Sequence, residues 1–132
     1  MTEDSIFTKI VKGEIPCHKI YEDEQTLAFM DIHPIQPGQV LVIPKQQVEF
    51  VWDLDDEVYT AVMATAQKVA QHLKLTFPEK LYVALIVEGL DVPHAHVKVF
   101  PFDDDQEFRF KPDMTADPDH PALAAIAAKL AF

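Results

Sequence analysis

Hydrophobic and polar positions change period several times along the chain. Ile6, Phe7, Ile10 and Val11 recur at helical spacing behind Ser5, a good N-cap residue, which predicts a helix over Ile6–Val11. Pro16 blocks its continuation. Lys19–Glu22 and residues 26–32 read as two strands joined by the polar turn Glu22-Asp23-Glu24, a hairpin. Pro34, Pro37 and Gly38 make a rigid loop. Val40-Leu41-Val42-Ile43 is then a continuous apolar run, as expected of a buried strand, stopped at Pro44.

Asp53, Asp55, Asp56 and Glu57 crowd a helix start, where acids complement the positive end of the dipole. Val58, Val62, Thr65, Ala66, Val69 and Leu73 follow at helical spacing, predicting a long helix to about residue 75. Residues 81–87 and 94–102 read as two more strands, separated by a loop between Gly89 and Pro93. Pro121 opens a last helix with Leu123, Ile126, Ala127 and Leu130 on one side. Strands and helices alternate irregularly and the first two strands form a hairpin, so an α+β domain with a largely antiparallel sheet is expected.

With 132 residues, 48% of them hydrophobic, the chain has the size of one globular domain. A chain of this length buries roughly two thirds of its unfolded surface. Cys17 stands alone, which excludes an intramolecular disulfide. Eleven basic against twenty-two acidic residues give a net charge of -11, which argues against a nucleic-acid coat protein. A local pocket for a small phosphorylated ligand remains compatible with that balance. The start of the chain lacks the pattern of a signal peptide, and no apolar run approaches the roughly 18 residues of a membrane span. A cytoplasmic protein that does not bind membranes, with a reduced Cys17, is the expectation. From residue 103 the composition turns acidic, with Phe108, Phe110 and Pro112 interrupting the charges. Residues 1–102 are therefore taken as the core of the domain. Residues 103–132 are taken as an acidic extension of it, with residues 103–119 expected to be a solvated tail.

The most informative stretch is Val92-Pro93-His94-Ala95-His96-Val97-Lys98-Val99-Phe100-Pro101. On a strand, His94, His96 and Lys98 share one face, and Ala95, Val97 and Val99 share the other, the expected core side. Three basic or titratable groups in a row suit an anion, phosphate above all. A neutral imidazole also attacks phosphorus without first losing a proton, and the nucleotidyl-histidine formed is readily hydrolysed. The His-x-His pair alone also fits two histidines on a polar strand face, or two zinc ligands.

The chain resembles the histidine triad (HIT) family of nucleotide-binding hydrolases and transferases. The resemblance runs over several ordered blocks. These are Ile6-Phe7-x-Lys9-Ile10-Val11-x-Gly13-Glu14-Ile15-Pro16, Tyr21-Glu22-Asp23, Leu27-Ala28-Phe29-x-Asp31-Ile32-x-Pro34, Pro37-Gly38, Leu41-Val42-Ile43-Pro44-Lys45 and the His94-x-His96 strand. It implies a five-stranded antiparallel sheet with two main helices, and a homodimer in which the sheets join. It also implies a nucleoside monophosphate site serving phosphoramidate or dinucleotide-type conjugates, with no cofactor. Ile6, Phe7, Ile10, Phe29 and Ile32 match the base pocket, Asp31 the carboxylate that accepts from ribose hydroxyls, and Gly89 the loop beside the nucleotide. His96 matches the nucleophile, and His94 the residue whose carbonyl orients it.

The departures from the family pattern are specific. Lys98 stands where the third histidine of the triad is expected, and a lysine keeps positive charge but is a poor general acid near neutral pH. Contact with phosphate and an outward-facing strand lysine are both open for it. Gly89-Leu90-Asp91-Val92-Pro93 replaces a longer phosphate-binding loop, and Val87 replaces an asparagine. These changes leave a nucleotide-binding protein with little turnover as the alternative. Some members hold structural zinc through two cysteines and two histidines; the matching residues are Ser5, Thr8, Gln47 and His94. One ligand of four survives, so no metal centre is expected.

Overall fold

The computed structural model describes residues 3–132. Helix α1, Ile6–Val11, is capped by Ser5, whose Oγ accepts from the Thr8 amide at 3.0 Å. Strands β1 (Lys19–Glu22), β2 (Thr26–Met30) and β3 (Val40–Pro44) follow. After a short 3-10 turn come helix α2, Asp56–Thr76, and strands β4 (Tyr82–Ile86) and β5 (Val97–Phe102). Helices α3 (Asp105–Phe108) and α4 (His120–Leu130) complete the chain. The five strands form one antiparallel sheet in the order β1-β2-β3-β5-β4. The α+β fold expected from the sequence is the fold observed.

The central strands are buried on both faces, which explains why β3 reads as a continuous apolar run. Ala28, Met30, Val40, Val42, Val97 and Val99 face α2 and α4, where they meet Val62, Ala66, Val69, Leu73 and Leu123. Leu27, Phe29, Leu41 and Ile43 face the other way and pack with Phe7 of α1. Lys98 is in register with Leu41, so it lies on this second face. The face that carries Lys98 is therefore the α1 side of the sheet.

The end of β2, the start of β5 and the acidic segment differ from expectation, each for a local reason. Strand β2 stops at Met30 because Asp31 Oδ1 accepts from the His33 amide at 2.9 Å, turning the chain. Strand β5 starts at Val97, since the Ala95 amide bonds the Val48 carbonyl at 2.7 Å and leaves the sheet ladder. The acidic segment is not a solvated tail. Phe108 of α3 packs on Phe100 and Phe102, with ring centroids 5.9 and 5.3 Å away. Gln36 Nε2 donates to the Glu107 carbonyl at 2.9 Å, and Lys80 pairs with Asp103 and Glu107 at 3.2 and 3.4 Å. Aromatic residues and inward carboxylate contacts hold this stretch despite its charge. No helix among the described residues is long and apolar enough to cross a membrane.

Candidate active site

A cavity of about 530 Å³ opens on the α1 side of the sheet, within the usual range for small-ligand sites. Ile6, Phe7, Ile10, Phe29, Ile32 and Leu41 make its apolar walls. Asp31, His96 and Lys98 bring polar groups to it. Eight of the residues singled out in the sequence thus line one cavity: Ile6, Phe7, Ile10, Phe29, Asp31, Ile32, His96 and Lys98. His94 lies behind the wall with no solvent exposure. Gly89 is not a lining residue. It takes φ +67, and a Cβ there would stand 2.8 Å from the Phe50 ring, so its role is a tight turn against Phe50.

The two histidines have distinct hydrogen-bond roles. His94 Nε2 lies 2.8 Å from the Pro44 carbonyl, which only accepts, so this nitrogen carries the proton. Nδ1 is then the acceptor, and Ser5 Oγ donates to it at 2.8 Å. Burial pushes the His94 pKa down, His96 adds to that, and the Pro44 carbonyl opposes it. His94 is therefore a neutral structural imidazole. His96 Nδ1 donates to the His94 carbonyl at 2.7 Å, which leaves the Nε2 lone pair free. The His96 residue is only 3% exposed, with Phe7 edge-on at a centroid distance of 5.4 Å. Its Nε2 nevertheless opens on the cavity, because no buried side-chain nitrogen in the described residues lacks a partner and this one has none.

Lys98 reaches the cavity, but its ammonium is engaged. Glu88 pairs with it closely, and Asp91 Oδ2 lies 3.6 Å away. Asp91 holds φ +76, a conformation that aspartate tolerates better than most residues. Neither partner was singled out in the sequence, since acids on a loop carry no sign of what they will face. Asp31 receives the His33 amide at 2.9 Å and Gln39 Nε2 at 2.8 Å. Burial raises its pKa, against the pull of those donors and the charges of Lys98 and His33.

Ser5, Thr8, Gln47 and His94 converge as a hydrogen-bonded cluster. Thr8 Oγ1 donates to Gln47 Oε1 at 2.5 Å, and the Ser5 amide donates to the same oxygen at 2.8 Å. Hydroxyl and amide oxygens with one imidazole do not fit structural zinc, which takes thiolates and imidazoles. The residues satisfy one another instead.

The sequence comparisons bear on this arrangement. The family model described as HIT domain matches residues 12–105. The chain belongs to the HIT family. An "Uncharacterized HIT-like protein" of Borreliella burgdorferi is 37% identical over 114 residues, covering 82% of each chain. Adenosine 5'-monophosphoramidase HNT1 of Saccharomyces cerevisiae is 35% identical over 101 residues, 76% of this chain and 64% of that one, just under two thirds of its length. A solved HIT-like protein of Bartonella henselae, crystallised with an unknown ligand, superposes with a TM-score of 0.81 at 30% identity, over 98% of this chain and 96% of that one. The five-stranded HIT fold expected from the resemblance is thus the observed one. Within that HIT fold, Cys17, His18, His33, Met114 and His120 also line the cavity. Sequence reasoning missed Met114 and His120 because they reach the cavity from the far end of the chain, and Cys17, His18 and His33 because they carry no pattern of their own beside the matched blocks.

Proposed function

We propose that this HIT-family chain hydrolyses nucleoside 5'-monophosphate conjugates of the phosphoramidate or dinucleotide type through a nucleotidyl-His96 intermediate. The observation that carries the reading is the 2.7 Å bond from His96 Nδ1 to the His94 carbonyl, which turns the Nε2 lone pair of the neutral ring toward the cavity. In this reading the base enters between Ile6, Phe7, Ile10, Phe29 and Ile32, and Asp31 accepts from the ribose diol. His96 Nε2 attacks the α-phosphorus, and the bond to the leaving group breaks with its electron pair. A leaving amine takes its proton from water. Water then adds to phosphorus and passes a proton to the hydroxide left by the first step, the P–N bond to His96 breaks, and the nucleoside monophosphate departs with the imidazole restored. Gly89 shapes the loop that carries Asp91 toward Lys98.

Turnover of adenosine and guanosine phosphoramidates by the chain, absent in its His96→Ala variant, is the test. Equal rates from both proteins would remove the assignment.

One observation favours a second reading, nucleotide binding with little turnover. The Lys98 ammonium pairs with Glu88 and lies beside Asp91, two carboxylates that hold its charge and make it a poor proton donor to a leaving amine. Lys98→His is expected to raise the phosphoramidate rate at least about tenfold if proton delivery limits the chemistry, within the span of general acid catalysis. An unchanged rate would show that water serves as well.

The same proposal includes a homodimer with joined sheets. Strand β4 is an edge strand that leaves Tyr82 and Leu85 exposed. At the opposite edge the Phe132 amide already bonds the Ile20 carbonyl, at 3.1 Å. Sedimentation should give twice the 15.0 kDa chain mass; a monomer at micromolar concentration would dismiss the dimer.

A further inference from the structure

The C-terminal segment supplies one wall of the cavity. Met114 and His120 line it together with His18. His18 Nε2 and His120 Nδ1 lie 2.9 Å apart although 102 positions separate them in the chain. His33 Nε2 lies 2.9 Å from the Ala116 carbonyl and donates to it, fastening the same segment. Asp119 caps α4 by accepting from the Ala122 amide at 3.1 Å, which fixes where His120 begins the helix.

A nitrogen-to-nitrogen hydrogen bond needs one donor and one acceptor, and a neutral imidazole has one N–H. If His18 Nε2 donates, His18 Nδ1 is an acceptor and His120 Nε2 carries a proton. If His120 Nδ1 donates, both outer roles reverse. Either way the outer nitrogens offer one donor and one acceptor, and neither has a partner among the described residues. At one ring position adenine presents an amine donor where guanine presents a carbonyl acceptor, and the outer nitrogen of His120 meets the first as an acceptor and the second as a donor. The two arrangements interconvert when the shared proton moves from His18 to His120 while His120 gives its outer proton to solvent and His18 takes one from it, so each base meets its matching form.

The other polar groups of the cavity are already assigned. His96 takes phosphate and Asp31 takes ribose; His33 bonds Ala116, and Lys98 bonds its carboxylates. We propose that the His18–His120 pair, with Met114 beside it, reads the edge of a purine base. The C-terminal segment is then part of the ligand site. This rests on the nucleotide reading above. The exposed thioether of Met114 (54% exposed) offers a polarizable surface for the base to cover.

Calorimetry with AMP, GMP and purine riboside 5'-monophosphate, which lacks the exocyclic groups of both bases, tests the assignment on the full chain and on His120→Ala. His120 is exposed at the first turn of α4, so the substitution should leave the fold intact, checked by circular dichroism. The expected result is a loss of about tenfold in AMP and GMP affinity, the worth of one net hydrogen bond. Purine riboside 5'-monophosphate should bind both proteins equally, a non-additive cycle that only direct contact produces. Equal weakening of all three ligands would mean that His120 merely holds the segment, and the edge reading would fall. Unchanged AMP affinity would overturn it while leaving the nucleotide site standing. No AMP binding by the unsubstituted chain would remove both.

Discussion

Turnover of an adenosine phosphoramidate is expected to fall by about a thousandfold or more in His96→Ala, as when a nucleophile is deleted from other covalent mechanisms. AMP should still bind within a few-fold of the unsubstituted chain, because the apolar walls and Asp31 are untouched. A split of this kind, chemistry lost and affinity kept, marks a group whose main task lies beyond the ground-state complex. Rapid-quench trapping of a protein-bound nucleotide in the unsubstituted chain, absent from the variant, would identify the intermediate directly. A loss of affinity as large as the loss of rate would instead make His96 a binding residue.

His94→Ala should produce the largest loss of stability, about 3 kcal/mol in a urea titration. The ring is fully buried, and its removal leaves the Pro44 carbonyl without this donor and Ser5 Oγ without this acceptor. Alanine keeps the backbone carbonyl that holds His96 Nδ1. Its catalytic penalty should therefore stay well below that of His96→Ala under conditions where the variant is folded. The same ring predicts a pH dependence. Its folded pKa lies below the unfolded value of about 6.5. The unfolded chain thus binds a proton first as the pH falls. The stability tied to neutral His94 is complete above about pH 6.5 and drains away as the pH drops through the folded pKa. In His94→Ala the slope of stability against pH over that window should flatten. An equal slope in both proteins would assign the effect to other groups.

Much of this architecture is legible in the sequence because its signals are local. The Ser5 cap, the two-faced run of β3 and the helical period of α2 each depend on neighbouring residues, and each appears as expected. The site splits along the same line. His96, Asp31 and the apolar walls lie in short ordered blocks and converge on one cavity. The direction of Lys98 was open because strand alternation gives a face but no partner; Glu88 and Asp91 decide it. The acidic segment misled because its composition resembles that of a tail, whereas its position is set by Phe108 against Phe100 and by Gln36 against Glu107. The His18–His120 pair is the extreme case, since it has no local pattern at all.

The cluster of Ser5, Thr8, Gln47 and His94 has a consequence for the setting in which the chain can work. Its joints are oxygen and nitrogen atoms only, so peroxide has no sulfur to oxidise there and a chelator has no ion to withdraw. The sole thiol, Cys17, is half-buried, and burial raises its pKa, keeping its reactive anion scarce. The bracket that steadies His94 and His96 should therefore hold its shape through oxidative stress and metal starvation alike.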